Sequence, residues 1–181
     1  MSVKLRYGLL LLVLVLVLTG CSKSWEATKK VGKVLWDPDI PVGKANQQPS
    51  EIAITLLAEP DINPNPDGEP SPVEMQLVYL SEDSRFESMD FDQLDEKPLP
   101  DVLGKNYIDH QDYTLTPDQY KPLALLRTTG ENRYLGVIVR YSSPNVTEWK
   151  KIIKLSGIGR QYYILVHVRE NEVELRKEEE E

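Results

Sequence analysis

The residues best suited to recognition chemistry lie together in one stretch, Pro60-Asp61-Ile62-Asn63-Pro64-Asn65-Pro66-Asp67-Gly68-Glu69-Pro70-Ser71-Pro72. Proline fixes φ and lacks a backbone N–H, so a segment this rich in it cannot lie inside a sheet. It is also longer than a hairpin requires. A long loop already stiffened by proline loses less entropy when it docks than a floppy one. That makes the segment a candidate recognition loop. A connector kept rigid for stability is the plainer reading of the same composition. The segment also imitates an EF-hand: Asn63, Asn65, Asp67, Gly68 and Glu74 fall at positions 1, 3, 5, 6 and 12 of that calcium loop. Asn at the first position, the interrupting prolines and a strand-like pattern around Glu74 count against calcium.

Other chemistry is thinly represented. There is no G-x-S-x-G, no H-E-x-x-H and no phosphate-binding glycine loop. His167 sits in an alternating strand pattern, and His110 in the polar run Asp109-His110-Gln111-Asp112, read as a turn before Tyr113. One cysteine in 181 residues cannot form an intramolecular disulfide or a multi-cysteine metal site. The formal net charge of −8 argues against a nucleic-acid binder, which presents a basic face. No enzyme activity, metal or cofactor is therefore expected, and no small-molecule substrate.

That cysteine, Cys21, closes a targeting segment. Lys4 and Arg6 precede an unbroken Leu/Val run from Leu9 to Leu18. The run suits the apolar part of a signal peptide and falls short of the roughly 20 residues that span a bilayer. It ends in Leu18-Thr19-Gly20-Cys21, which resembles the lipobox of bacterial lipoproteins. The resemblance implies that residues 1–20 are removed and that Cys21 carries the acyl chains. Two or more such chains hold a protein stably on a membrane without spanning it. By the sorting rule that goes with the lipobox, Ser22, standing where Asp would favour retention in the inner membrane, implies the periplasmic face of the outer membrane. Residues 21–49, with scattered lysines, Trp25, Trp36 and three prolines, read as a lipidated tether.

A domain able to position the loop must follow, and from Ser50 the dominant period is two. Ile52, Ile54 and Leu56 share one strand face; so do Val73, Met75, Leu77 and Tyr79. Leu135, Val137, Val139 and Tyr141, and then Tyr162, Ile164, Val166 and Val168, repeat the pattern. Leu123 to Leu126 reads as a short buried run, and Glu170-Asn171 as a hairpin turn before Val173 and Leu175. Tyr113 with Leu115, and Trp149 to Leu155, are weaker strands. Between Ser81 and Gly104 the period breaks, and Phe86, Met89, Phe91 and Leu94 sit at helical spacing. There Ser84 is the expected cap, Pro98 a stop, and Gly104 the end of a last turn. The expected fold is mainly β: a two-sheet antiparallel sandwich over 50–176 with a helical insertion at about 82–104. Residues 177–181 read as a solvated acidic tail.

Taken in order, these motifs resemble TssJ (SciN-like) proteins, the outer-membrane lipoproteins of bacterial type VI secretion systems. The likeness runs from the lipobox through Asp37-Pro38-Asp39-Ile40-Pro41-Val42-Gly43. It is strongest at Ile62-Asn63-Pro64 and Gly68-Glu69-Pro70-Ser71-Pro72-Val73, followed by Val78-Tyr79-Leu80. Leu103-Gly104, Leu115-Thr116-Pro117, Leu135-Gly136-Val137 and Trp149-Lys150 extend it. Glu69 stands where the family often has Arg, and Asp118 where Gly is common. The resemblance implies a transthyretin-like sandwich. It also implies that the loop between the first two strands, Asp61 to Ser71, binds the periplasmic C-terminal domain of the inner-membrane protein TssM. A different class, a lipoprotein whose sandwich binds a small ligand or carbohydrate, would need a concave patch of exposed aromatics drawn from Tyr107, Tyr113, Tyr120, Tyr162 and Tyr163.

Overall fold

The computed structural model describes residues 48–180 apart from Thr129 and Gly157. Among the described residues nine strands build two sheets: β1 (Ser50–Ala58), β2 (Val73–Leu80), β3 (Tyr107–Leu115), β4 (Tyr120–Pro122), β5 (Leu126–Thr128), β6 (Tyr134–Arg140), β7 (Lys150–Lys154), β8 (Gln161–Val168) and β9 (Val173–Glu180). One sheet runs β4-β1-β8-β9, with β5 also pairing β1, and the other runs β3-β2-β6-β7. The period-two residues do what their spacing requires. Ile52, Ile54 and Leu56 of β1, Met75 and Leu77 of β2, Val137 and Val139 of β6, and Ile164 and Val166 of β8 are buried together between the sheets. Side chains on alternate faces of a pleated strand can reach the core only in this way.

The two sheets are antiparallel-rich, as expected of the sandwich, with one parallel pair. β1 and β8 pair in parallel, Glu51 opposite Gln161 through Ala58 opposite Val168. Parallel neighbours need a long crossover rather than a tight turn, and here nearly the whole sandwich intervenes. The consequence is geometric: the segments leaving β1 and β8 emerge at the same pole. The antiparallel registers bring the end of β3 and the end of β6 there too, since Val73 pairs with Leu115 and Glu74 with Arg140. Four connections, 59–72, 116–119, 141–149 and 169–172, therefore gather at one end. The chain enters at the other end, where the Gln48 carbonyl accepts the Gly159 N–H at 2.7 Å and Pro49 bridges to Ile158.

The helical insertion packs on the outer face of the β3-β2-β6-β7 sheet. It comprises α1 (Ser84–Ser88), α2 (Gln93–Glu96) and α3 (Leu99–Leu103), then a 3-10 turn at Gly104–Asn106. Phe86, Met89, Leu94, Leu99 and Leu103 bury against Val78, Leu80 and Ile138, so this sheet is apolar on both faces. That is why Val78 and Leu80 of β2 and Ile138 of β6, which fall off the alternating core face, are apolar too. Gly104 ends α3 at φ 54°, as its spacing predicts. Ser84 is not the cap: Asp83 occupies that position without a side-chain bond, and the Ser84 hydroxyl oxygen instead accepts from Asn106 Nδ2 at 3.1 Å.

Four further expectations change. Leu123 to Leu125 form no strand but an irregular link between β4 and β5, where Leu125 is exposed. His110 lies within β3, a full nine-residue strand rather than a turn and a weak strand. β7 holds only Lys150–Lys154 of the Trp149 to Leu155 stretch. Residues 177–180 are solvent-exposed as expected, yet they continue β9, with Lys177 opposite Ile164 and Glu180 opposite Gln161. The sandwich thus extends to Glu180. Asp118 adopts φ 60°, the left-handed region that glycine enters most readily.

Candidate functional site

The proline-rich loop connects β1 to β2 and is folded by its own side chains. Ile62 is fully buried and joins the sandwich core. Burying a side chain of that size contributes roughly 1.5–3 kcal/mol, so the base of the loop is bolted to the domain. Asn63 follows at φ 47° and is only 7% exposed. Its Oδ1 accepts the Ser142 backbone N–H at 2.7 Å and lies 2.9 Å from Ser142 Oγ. Its Nδ2 donates to Ser71 Oγ at 3.1 Å and to the Pro72 carbonyl at 2.9 Å. The Ser142 backbone N–H can only donate, which fixes the orientation of the amide. The Ser71 hydroxyl donates back to the Asn63 carbonyl. One buried amide thus ties together both arms of the loop and the start of the β6–β7 connection.

The tip is built on Asn65. Its Oδ1 accepts the N–H groups of Asp67 at 3.0 Å and Glu69 at 2.9 Å, while its carbonyl accepts the Gly68 N–H at 2.8 Å. An Asn side chain that mimics a backbone turn in this way is a standard turn former. Pro66 pre-sets the turn, and Gly68, at φ 80° with open space around it, permits the reversal. Asn65 N–H returns a bond to the Glu69 carbonyl at 2.9 Å and closes the tip. Pro66, Asp67, Gly68, Glu69 and Pro70 all face solvent.

The eleven residues expected to contact a partner therefore divide. Asp61, Asp67 and Glu69, with Pro66, Gly68 and Pro70, form an exposed acidic surface. Ile62 and Asn63 face inward and hold the loop; Pro64, Asn65 and Ser71 are half-buried. The EF-hand spacing does not become a calcium cage. The Asn63 and Asn65 oxygens are turned onto N–H groups, and Glu74 pairs within β2. No group of acidic, His or Cys side chains with metal-binding geometry occurs among the described residues.

Three features that sequence reasoning missed complete this pole. Ser142 lies 79 residues from Asn63, and no local signal marks it. Tyr141 Oη bonds the carbonyls of Arg169 at 3.0 Å and Glu172 at 2.7 Å, pinning the β8–β9 turn; burial pushes its pKa above the ordinary tyrosine value. Beneath that turn, Arg169 meets Glu59 at 3.5 Å, Glu172 at 3.3 Å and Glu174 at 3.2 Å, and His167 Nε2 meets Glu59 at 3.0 Å. The Arg176 guanidinium, hydrogen-bonded to Glu174, holds that carboxyl below the usual carboxylate range. Between the loop stem, residues 145–148 and residues 169–172 lies an open cleft of about 650 Å³.

The candidate tyrosines do not converge. Tyr162 is buried in the core, Tyr113 packs against it and bonds Gln111, and Tyr107 bonds His110 at 2.7 Å. Tyr120 and Tyr163 are exposed on the outer face of the first sheet, but they stand opposite Leu57 and Ala53 respectively, four residues apart along β1. Cys21, the segment 1–20 and residues 21–47 of the tether lie outside the described residues. Among the described residues no helix is long and apolar enough to cross a membrane.

The described residues thus form a two-sheet sandwich that presents an internally hydrogen-bonded polar loop at one pole. The chain belongs to the type VI secretion lipoprotein family (T6SS-SciN; VasD, EvfM, TssJ), whose model matches residues 50–171. The fold is similar to that of the T6SS lipoprotein TssJ1 from Pseudomonas aeruginosa, with a TM-score of 0.67 and 20% identity, covering 72% of this chain and 97% of that one. It is also similar to Serratia marcescens Lip, a membrane-bound component of the type VI secretion system, with a TM-score of 0.60, 23% identity and coverages of 72% and 98%. A third likeness is to a chain in the structure of the T6SS protein TssM C-terminal domain (869-1107) from EAEC, with a TM-score of 0.58, 18% identity and coverages of 70% and 97%. No curated protein sequence matches this chain.

Proposed function

We propose that this chain is a non-enzymatic anchor of the type VI secretion membrane complex. Acyl chains on Cys21 hold it at the periplasmic face of the outer membrane. The β1–β2 loop, Asp61 to Ser71, docks the periplasmic C-terminal domain of TssM. The observation that carries this reading is the placement of the loop. It is internally hydrogen-bonded, bolted down at Ile62 and Asn63, and projects from the pole opposite the entry point at Gln48. Family membership and the likeness to Lip and to a chain in the TssM domain structure support the same role.

The test is co-purification of the full-length chain with the TssM C-terminal domain from the same genome. Replacing the exposed tip, Pro66 to Pro70, by a Gly-Ser linker leaves Ile62 and Asn63 in place and should abolish capture while leaving the circular dichroism of the sandwich unchanged. Full-strength capture by that variant would refute the loop assignment. Cys21→Ser should move the protein from the membrane fraction to the soluble periplasm; continued outer-membrane fractionation would refute the lipid anchor.

A further inference from the structure

We infer that the loop is only half of the docking surface, and that the other half is the β6–β7 connection, with the cleft between them receiving a lysine- or arginine-bearing segment of the partner. The inference rests on the proposed role of the loop and specifies what that loop recognises.

Three observations carry it. The first is mechanical. Asn63 Oδ1 takes the Ser142 N–H, and Ser142 Oγ lies 2.9 Å from Asn63 Oδ1 and 3.2 Å from the Pro64 carbonyl. The β1–β2 loop and the β6–β7 connection are therefore latched into one body and present a fixed relative geometry. A preorganised pair of walls binds without an ordering cost.

The second is an apolar side chain held outward. Val146 is 76% exposed, the highest of the large hydrophobics among the described residues. It sits on a 3-10 turn, Pro144–Val146, in which the Val146 N–H donates to the Ser143 carbonyl at 3.3 Å and the Thr147 hydroxyl donates to the Pro144 carbonyl at 3.3 Å. This turn forms one wall of the 650 Å³ cleft. A single exposed valine would be unremarkable; one presented by a stiff turn at the mouth of a cleft, beside the loop, provides a contact at the centre of a wider surface.

The third observation sets the partner's chemistry. Asp61, Asp67 and Glu69 of the loop and Glu170 across the cleft are all exposed, and the loop carries no basic residue. The cation within the cleft, Arg169, is already paired with Glu59, Glu172 and Glu174. The open side of the pole is thus negative and offers carboxylate and carbonyl acceptors. Arginine and lysine are the side chains that match such acceptors, and opposite charges also speed the encounter. Glu69, at the exposed tip, is part of this surface.

The experiment measures the affinity of full-length chain in detergent for the TssM C-terminal domain from the same genome, using wild type, Glu69→Arg, Glu170→Lys and Val146→Arg. All three substitutions are at exposed positions, so the fold should persist. Each should weaken binding at least tenfold, and raising NaCl from 0.05 to 0.5 M, where screening shortens the reach of exposed charges, should weaken wild-type binding by a similar factor. Wild-type binding that depends on the loop, yet stays within twofold for Val146→Arg and Glu170→Lys, would overturn the two-walled surface and leave the loop reading standing. Loop-dependent binding that is insensitive to salt and to Glu69→Arg would overturn the basic partner. Absence of wild-type binding would overturn the loop reading and this inference together.

Discussion

Asn63 concentrates more of the site than any other side chain. It is buried, occupies a left-handed backbone conformation and uses both ends of its amide. Left-handed geometry costs an ordinary residue roughly 1–2 kcal/mol, with Gly and Asn the tolerated exceptions. A buried donor left without a partner costs about 1–3 kcal/mol more. Asn63→Ala therefore loses on both counts and should destabilise the domain by about 2–4 kcal/mol. Asn63→Gly keeps the backbone and loses only the bonds, so it should be milder by about 1 kcal/mol. Urea unfolding of the pair separates the contributions; equal losses would show that backbone conformation contributes nothing at this position. The sequence displays Asn63 as one of several polar residues in a loop. Its dominance becomes legible only when Ser142, distant in the chain, is brought against it.

At the scale of elements, the helical layer explains what the sandwich needs at its second outer face. α1 sets Phe86 directly over Gly136 of β6, and a Cβ added there would lie 2.6 Å from Phe86 Cε2 and 2.7 Å from Cζ. Gly136 is thus a socket rather than a flexible joint. Lys150, in β7, reaches across and donates to the carbonyls of Phe86 at 2.9 Å and Glu87 at 2.7 Å, and to that of Met89 within hydrogen-bond reach. This satisfies the carbonyls that the end of a helix leaves open. Burial pulls the Lys150 pKa below its ordinary value, while the neighbouring Asp90 and Glu87 work in the opposite direction. Gly136→Ala should lift the ring from its socket and cost about 1–3 kcal/mol, the usual range for overpacking a core. Combining it with Phe86→Leu should cost less than the sum of the two single changes, because the smaller side chain vacates the clash; additive losses in thermal unfolding would refute the socket. The sequence displays the helical spacing of Phe86, Met89, Phe91 and Leu94, and the insertion is where that spacing puts it. A local rule favours serine at a helix start and so points to Ser84 as the cap, whereas the structure uses its hydroxyl to accept from Asn106.

For the whole molecule, most of the architecture follows from alternation: wherever one strand face is apolar over several residues, that face is in the core. Alternation says nothing about which strands are neighbours, so the parallel β1–β8 pair was not legible, nor was the gathering of four connections at one pole. The tail was misread for a related reason. Glu178, Glu179 and Glu180 look solvated and are, yet a strand edge welcomes charge because it discourages pairing with other chains. This topology has a consequence for handling the protein. Glu180 pairs with Gln161, and Gln161 lies opposite Glu51, so the C-terminal strand ends at the entry pole, far from the loop. β1 has nine residues, and at about 3.3 Å per residue it alone separates the two poles by roughly 30 Å. A folded tag fused after Glu181 should therefore leave capture of the TssM C-terminal domain within twofold of the untagged chain. A short Gly-Ser insertion between Asp67 and Gly68 breaks the Asn65-capped tip and should abolish capture, although it adds far less mass. Comparing the two by surface-immobilised binding tests the polarity itself. Loss of binding with the C-terminal tag and retention with the insertion would mean that the partner seats on the entry pole.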